Sequence, residues 1–333
     1  MAVEIIAELA QGFEGRPEQA RLLMKAAAAA GADAAKYQLV YADELATPDY
    51  KYYDLFKSLE MDDAVWAGLA RYAAELGIKL QVDIFGLRSL KLAEQIGADA
   101  IKLHGTDIAN VGLLNAVARS SVRKVLLGAG GAFSSEIEQA ASALDSKEVI
   151  ILLGFQGYPT PDEANQIARI RVLLEGVGSL HPHLTVGFAD HALPGSLSRV
   201  ALAAVAVGAG ASVLEKHLTL GRNLMLEDHE SALNPDEFLE FAHTIRNCAL
   251  ALGESRPSEE FGMGDAEIAY RKMIRRHVVA NKNIDVGETV GVEDVALKRS
   301  AGDDLISDLT FVYRKKLKNR VLKNSPIRLS DLE

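Results

Sequence analysis

Short apolar runs alternate with helix-length segments from the start of the chain to about residue 250, and this regularity restricts the fold more than any single motif. VEIIAEL, DAAKYQL, IKLQVDI, DAIKLHG, KVLLGAG, VIILLGF, LTVGFAD and SVLEKHL read as strands. Their hydrophobicity is nearly continuous, as it is in parallel strands covered on both faces. A helix is expected from Pro17 to Ala30, with proline in its first turn and Gly31 past its end. DDAVWAGLARYAAEL is an amphipathic helix stopped at Gly77, and further helices begin near Leu87, Ala109, Phe133, Pro161, Pro194 and Asn234. Eight strand and helix pairs in about 250 residues predict an α/β fold, the (β/α)8 or TIM barrel, with its functional groups at the carboxyl ends of the strands.

The helix-to-strand joints AGADAAK, IGADAIK and AGASVLEK echo one another: glycine closes a helix, and lysine arrives after apolar residues. Lys36, Lys102 and Lys216 are therefore all expected near the catalytic face. The stretch from His183 to Thr219 forms one strand, helix, strand unit that places His191 and His217 at the same end of adjacent strands. Either histidine alone reads as readily as a satisfied polar residue ending a strand. As a matched pair beside carboxylates at a barrel mouth, they suit a divalent metal. The other strand ends carry Glu8 and Gln11, Lys36 and Gln38, Asp83, Lys102, His104, Thr106 and Asp107, the GAGGAF loop, then Gln156 and Tyr158. Such a mouth suits an anionic small molecule reacting with a polyhydroxylated one.

The barrel pattern stops near Gly253, which sets a first domain at 1–254, a polar linker at 255–268 and a module of short strands at 269–333. The formal charge of −10 argues against nucleic acid as a general partner. The module itself is basic, but it lacks aromatics interleaved for base stacking; docking on an acidic rim, or lending an arginine to an anionic substrate, suits it better. A single cysteine, Cys248, excludes an intramolecular disulfide and any multi-cysteine metal site. No apolar run reaches membrane-spanning length and the first strand starts without a signal-like segment, so a cytoplasmic enzyme with no membrane partner is expected.

AELAQGFEG, AAKYQ, YPTP, VGFADH, LEKHLT, EDHESALNPDEF and NIDVGETVGVEDVALKRSAG together resemble the sialic acid synthase family, over essentially the whole chain. The resemblance implies a TIM barrel followed by an antifreeze-protein-like (SAF) domain. It also implies condensation of phosphoenolpyruvate with an N-acetylmannosamine-type aldose to give a 3-deoxy-2-keto (nonulosonic) sugar acid. By matching position, His191 and His217 would hold manganese or magnesium, and Lys36 and Lys102 would hold phosphoenolpyruvate. Glu8, Gln38, Tyr158 and Asp228 would face the aldose, with Glu8 or Asp228 positioning hydroxyls or moving a proton. Arg299 would be lent by the SAF domain of one subunit to the site of its partner, in a domain-swapped homodimer.

The match has gaps at the phosphate-binding positions. Asp83 stands in place of a threonine, Gly128-Ala129-Gly130 in place of Ser-Thr-Gly, Ala189 in place of serine and Gln156 in place of asparagine. Either Thr106, His104 and the Gly128 to Gly131 amides replace the lost donors, or the donor substrate is bound differently. The alternatives to this synthase are a relative that keeps the fold and binds a sugar acid or glycan, one that uses a different donor, and a different metal-dependent aldolase or isomerase. The segment Val40 to Glu60, with Tyr41, Tyr50, Tyr52 and Tyr53, is expected to form the lid that selects the sugar, the alternative being that these tyrosines simply pack the loop.

Overall fold

The computed structural model describes residues 3–155, 157–181, 183–253 and 261–333. The chain divides into two units, Met1–Gly253 and Glu254–Glu333. In the first, the strands are β1 (Glu4–Ala10), β2 (Ala34–Gln38), β3 (Lys79–Ile84), β4 (Ala100–Leu103), β5 (Lys124–Gly128), β6 (Glu148–Leu153), β7 (Leu184–Asp190) and β8 (Val213–His217). Each pairs in parallel with its neighbour in sequence, and β1 closes on β8. Helices Pro17–Ala29, Asp63–Leu76, Leu87–Gln95, Val111–Arg119, Ser134–Ala143, Arg169–Glu175, Ser198–Gly208 and Pro235–Leu252 follow the strands in turn. This is the (β/α)8 barrel that the alternation predicts.

Successive strand residues point to opposite faces of the sheet, and here both faces are dry. Ile6, Ala34, Ala100, Leu126, Ile150, Leu152 and Val213 pack together inside the barrel. Ile5, Ala7, Ala35, Tyr37, Val82 and Ile101 join the larger core under the helices. The helix Pro17–Ala29 buries Ala20, Leu23, Met24 and Ala27, the one-face spacing of an amphipathic helix. The helix Asp63–Leu76 ends at Gly77, whose φ of 69° is the left-handed conformation that glycine adopts without strain. This helix delivers Trp66 edge-on to Phe13 and Tyr37, with ring centroids 5.6 and 5.9 Å away. The Tyr37 hydroxyl, inside the same cluster, donates to the Ala20 carbonyl at 2.7 Å. The loop after β1, strand β2 and two helices are locked together at this corner.

The amino-terminal end of the barrel is closed by polar pairing: Glu4 accepts from Gln81 at 3.1 Å and pairs with Lys124. At the other end, the segment after β8 is pinned where the last helix begins. Glu237 accepts from the Asn234 amide at 2.8 Å and from Arg222 Nη2 at 2.8 Å, satisfying an amide at the helix start.

In the second unit a helix, Asp265–Ile274, precedes the antiparallel pair β9 (His277–Ala280) and β10 (Val295–Lys298). Isolated bridges such as Ile284 with Val321 and Thr289 with Lys316 continue the short-strand pattern. They surround a small core that includes Val278, Ile284, Val290, Val312, Leu317 and Ile327. Of the expected linker, residues 255–260 lie outside the described residues and 265–268 begin the helix. Among the described residues no helix is long and apolar enough to cross a membrane.

Candidate active site

Five charged side chains meet inside the barrel near the carboxyl ends of its strands. Lys36 Nζ pairs with Glu8, lies 2.5 Å from Asp83 Oδ1 and 3.4 Å from Glu215 Oε2. Lys102 Nζ lies 2.6 Å from Glu215 Oε1, 3.8 Å from Glu8 and 3.9 Å from Asp83 Oδ2. The register explains the gathering: Glu8 is level with Lys36, and Asp83 with Lys102, on neighbouring strands, so all four point inward at similar height. All five groups are buried, so their charges are weakly screened and must be compensated locally. Burial works against the charge of Lys36, but Asp83, Glu215 and Glu8 together hold its pKa well above the usual lysine range. Burial likewise opposes ionisation of Glu215, yet Lys102 and Lys36 keep it well below the ordinary carboxylate value. Glu8 is pushed up to about 8, by burial first and then by Asp83 and Glu215, against the pull of Lys36. Three carboxylates thus share two ammonium groups, and Glu8 carries the surplus proton near neutrality.

One layer above lie the two imidazoles. The rings of His191 and His217 are 5.2 Å apart between centroids, and the Tyr158 ring stands edge-on to both, at 4.9 and 5.6 Å. His191 Nδ1 is 3.0 Å from the Phe155 carbonyl, so the proton belongs on Nδ1 and the Nε2 lone pair is free. Burial brings His191 down to about 4, and burial together with His191 takes His217 well below its usual value. Both rings are therefore neutral near pH 7, the state a metal ligand needs. Asp228 Oδ2 is 3.8 Å from His217 Nδ1, and burial with the nearby Glu227 and Glu230 pushes Asp228 up to about 7. Among the described residues no three metal-binding side chains converge on one point. Of the nitrogen donors a metal ion would use, the mouth offers the two neighbouring neutral imidazoles. Backbone strain gathers at the same mouth. Ala10 has a φ of 44°, at a register shift where its amide donates to Glu8 Oε1 at 2.8 Å, and Asp228 has a φ of 61°.

The remaining expected site residues are distributed as follows. Gln38 is half-buried and accepts from Gln11 Nε2 at 2.7 Å. Thr106 is exposed, its hydroxyl 3.3 Å from Asp107. Gln156 lies outside the described residues. Arg299 directly follows β10 in the second unit and is exposed. A side chain at Gly128 would lie 2.8 Å from the Gly105 nitrogen and 3.2 Å from the Leu103 carbonyl. The hydroxyl missing there is thus a consequence of close backbone approach between the ends of β4 and β5.

Two expectations need correction. Lys216 does not join the other lysines: it projects from the opposite face of β8 to Glu215 and His217, and pairs with buried Asp190 at 3.2 Å. In AGADAAK and IGADAIK lysine comes five residues after glycine, but in AGASVLEK six, and one residue reverses the face. Glu215 takes the equivalent inward position and is the site residue that the motif comparison overlooked. Tyr41 is not a sugar-facing lid residue; it is buried, its hydroxyl donates to Asp63 at 3.0 Å, and Arg88 stacks on it at 3.7 Å. Tyr50 and Tyr52 are half-exposed and pack edge-on to each other at 5.8 Å, while Tyr53 bonds to Asp43.

Comparison with known proteins agrees with this architecture. Residues 23–257 match the NeuB family, and residues 275–333 match the SAF domain. The chain belongs to the NeuB family. One relative, the uncharacterized protein MJ1065 of Methanocaldococcus jannaschii, is 30% identical over 98% of this chain and 94% of its own length. N,N'-diacetyllegionaminic acid synthase of Legionella pneumophila is 25% identical over 95% of this chain and 91% of its own. Among solved structures, N-acetylneuraminic acid synthetase from Leptospira borgpetersenii, in complex with citrate, superposes with a TM-score of 0.72. It is 26% identical and covers 82% of this chain and 93% of that one. The NeuB relatives therefore include enzymes of nonulosonic acid synthesis.

Proposed function

We propose that this NeuB protein condenses phosphoenolpyruvate with an N-acetylmannosamine-type aldose, giving a sialic-acid-like 3-deoxy-2-keto sugar acid and phosphate. The observation that carries the reading is the stacking of two layers at one mouth: a neutral imidazole pair directly above two buried lysines. The lower layer offers cations to an anionic donor, and the upper offers metal ligands and hydroxyl-binding groups to an aldose. The names of the Legionella and Leptospira relatives support the same class of product.

In this reading His191 and His217 hold a divalent ion, Mn2+ or Mg2+, which when bound supplies Lewis-acid polarisation of the aldehyde oxygen. The other roles belong to the chain itself. Lys36 and Lys102 offset the charge of the enol phosphate while its methylene carbon forms the new bond to the aldehyde carbon. Water then adds to the adjacent carbon, and phosphate leaves as the carbon–oxygen bond breaks. Glu8, protonated near neutrality, holds or passes a proton beside Lys36, and Asp228, balanced near pH 7, does so beside His217. Gln38 and Tyr158 orient the aldose hydroxyls. Arg299 from the partner of a domain-swapped homodimer completes the anionic end, as the family resemblance implies.

The reading is tested by mixing purified protein, Mn2+, phosphoenolpyruvate and a panel of hexosamines, and measuring phosphate release. Release with one aldose, abolished by chelation, is the expected result. No release with any aldose, together with no binding of phosphoenolpyruvate, would refute the synthase; glycan binding by such an inert protein would point to the binding function instead.

A further inference from the structure

We infer that Asp83 sets the charge of the group accepted beside Lys36 and Lys102, disfavouring a dianion relative to a monoanion. The inference rests on the reading of these two lysines as the anion subsite. Asp83 is fully buried, with Oδ1 2.5 Å from Lys36 Nζ. Its other oxygen, Oδ2, has no hydrogen-bond partner among the described residues and lies 3.9 Å from Lys102 Nζ. Level with Gln38 on one side and Lys102 on the other, β3 holds this carboxylate between the strands that carry the two lysines. It is an internal anion standing where an incoming one would be received.

The carboxylate also uses up positive charge that an incoming anion would need. With Glu8 holding its proton, Asp83 at 2.5 Å and Glu215 at 2.6 and 3.4 Å already match the two ammonium groups, so the subsite keeps no surplus positive charge for an incoming anion. A fixed negative charge repels an approaching group in proportion to that group's charge, so a dianion pays about twice the repulsion of a monoanion at the same place. All five groups are buried, and buried charges are screened much less than exposed ones, so the difference is felt. Asn at this position keeps the shape and an oxygen acceptor for Lys36 while removing the charge.

The test compares wild type, Asp83→Asn and Asp83→Thr by titration calorimetry. The probes are inorganic phosphate, under mildly alkaline conditions where it is mainly a dianion, and pyruvate, a monoanion. Urea melts show first that each variant is folded. The expected result is about a tenfold gain in phosphate affinity and about a threefold gain for pyruvate, so that the ratio of the two rises. A carboxylate that merely props up Lys36 would, when removed, weaken both ligands alike. An unchanged or falling ratio in both folded variants, or no phosphate binding in either, overturns the inference. Wild-type turnover with phosphoenolpyruvate tests the proposed reaction, whereas this ratio needs no turnover, so the two can fail separately.

Discussion

The buried pair of Asp190 and Lys216 gives the sharpest stability test, because the structure puts a full charge on each side of a backbone segment that has to stay in place. Both side chains are buried, 3.2 Å apart, on the helix side of β7 and β8. Lys216 also donates to the Ala192 carbonyl at 3.2 Å, and Asp190 Oδ1 accepts from the Ala192 amide at 2.8 Å. Burial lowers the pKa of Lys216 despite Asp190 and raises that of Asp190 despite Lys216, so each depends on the other to remain charged. Lys216→Met leaves Asp190 without its counter-ion and the Ala192 carbonyl without a donor. Removing one partner of such a pair costs about 3–5 kcal/mol, a large share of the roughly 5–15 kcal/mol by which a domain is stable. In Asp190→Asn/Lys216→Met the orphan charge is gone and an acceptor for the Ala192 amide survives. The residual cost is then chiefly that of the unpaired carbonyl, about 1–3 kcal/mol. Urea unfolding of the three proteins at unchanged m-value reads both numbers from the midpoints. A single variant losing less than about 1 kcal/mol, or a double variant no more stable than the single, would refute the argument that charge burial governs this position.

Three further outcomes are expected. His217→Ala and His191→Ala each reduce Mn2+ affinity by at least about tenfold in calorimetric titration of the isolated protein; unchanged affinity would remove the pair from any metal site. In metal-free protein His191 has a folded pKa of about 4, against about 6.5 when unfolded. The neutral ring therefore favours the native state fully above pH 6.5, and that stability is lost as pH falls through 6.5 towards 4, up to about 3 kcal/mol; His191→Gln should flatten this part of the urea-midpoint profile. Gly128→Ser must displace backbone at the β4 end, since its Cβ would lie 2.8 Å from the Gly105 nitrogen; a loss of about 1–3 kcal/mol is expected in the same melts, and a neutral effect would show the loop to be free to move.

The barrel was legible because its signals repeat. Continuous apolar runs, a proline at position 17 and glycines at 31 and 77 each have one cheap structural solution, and the structure uses it. The site was legible in part. Motif spacing brought out Lys36 and Lys102, yet the same reasoning misplaced Lys216, because a period of two makes a one-residue offset decisive. Counting from the closing glycine rather than matching letters selects Glu215 as the inward residue of β8. The tyrosines of the segment after β2 carried no such count. Whether Tyr41 faces a ligand or packs depends on Asp63 and Arg88, 22 and 47 residues away in sequence, and local patterning holds no record of that encounter. Asp83 stood out as a mismatch, but its buried pairing with Lys36 is a property of the register between β2 and β3.

The same period of two couples the two layers of the mouth. A histidine at the end of a strand, or one residue past it, stands above the residue two positions earlier in the layer beneath: Glu215 under His217, Ala189 under His191, Lys102 under His104. The lower layer therefore sets the field in which the upper one titrates. Besides burial and His191, the ammonium groups of Lys36 and Lys102 press His217 towards neutrality, while Glu215 alone among its named neighbours pulls the other way. His104, lowered by burial and then by Lys102, follows the same rule. A substitution in the lysine layer is then never confined to anion binding, since deleting a buried cation removes one of the influences that keep the imidazoles unprotonated. Asp83 is not among the groups that shift His191 or His217, so Asp83→Asn, which preserves both lysines, separates anion binding from the imidazole pair where Lys36→Met or Lys102→Met cannot.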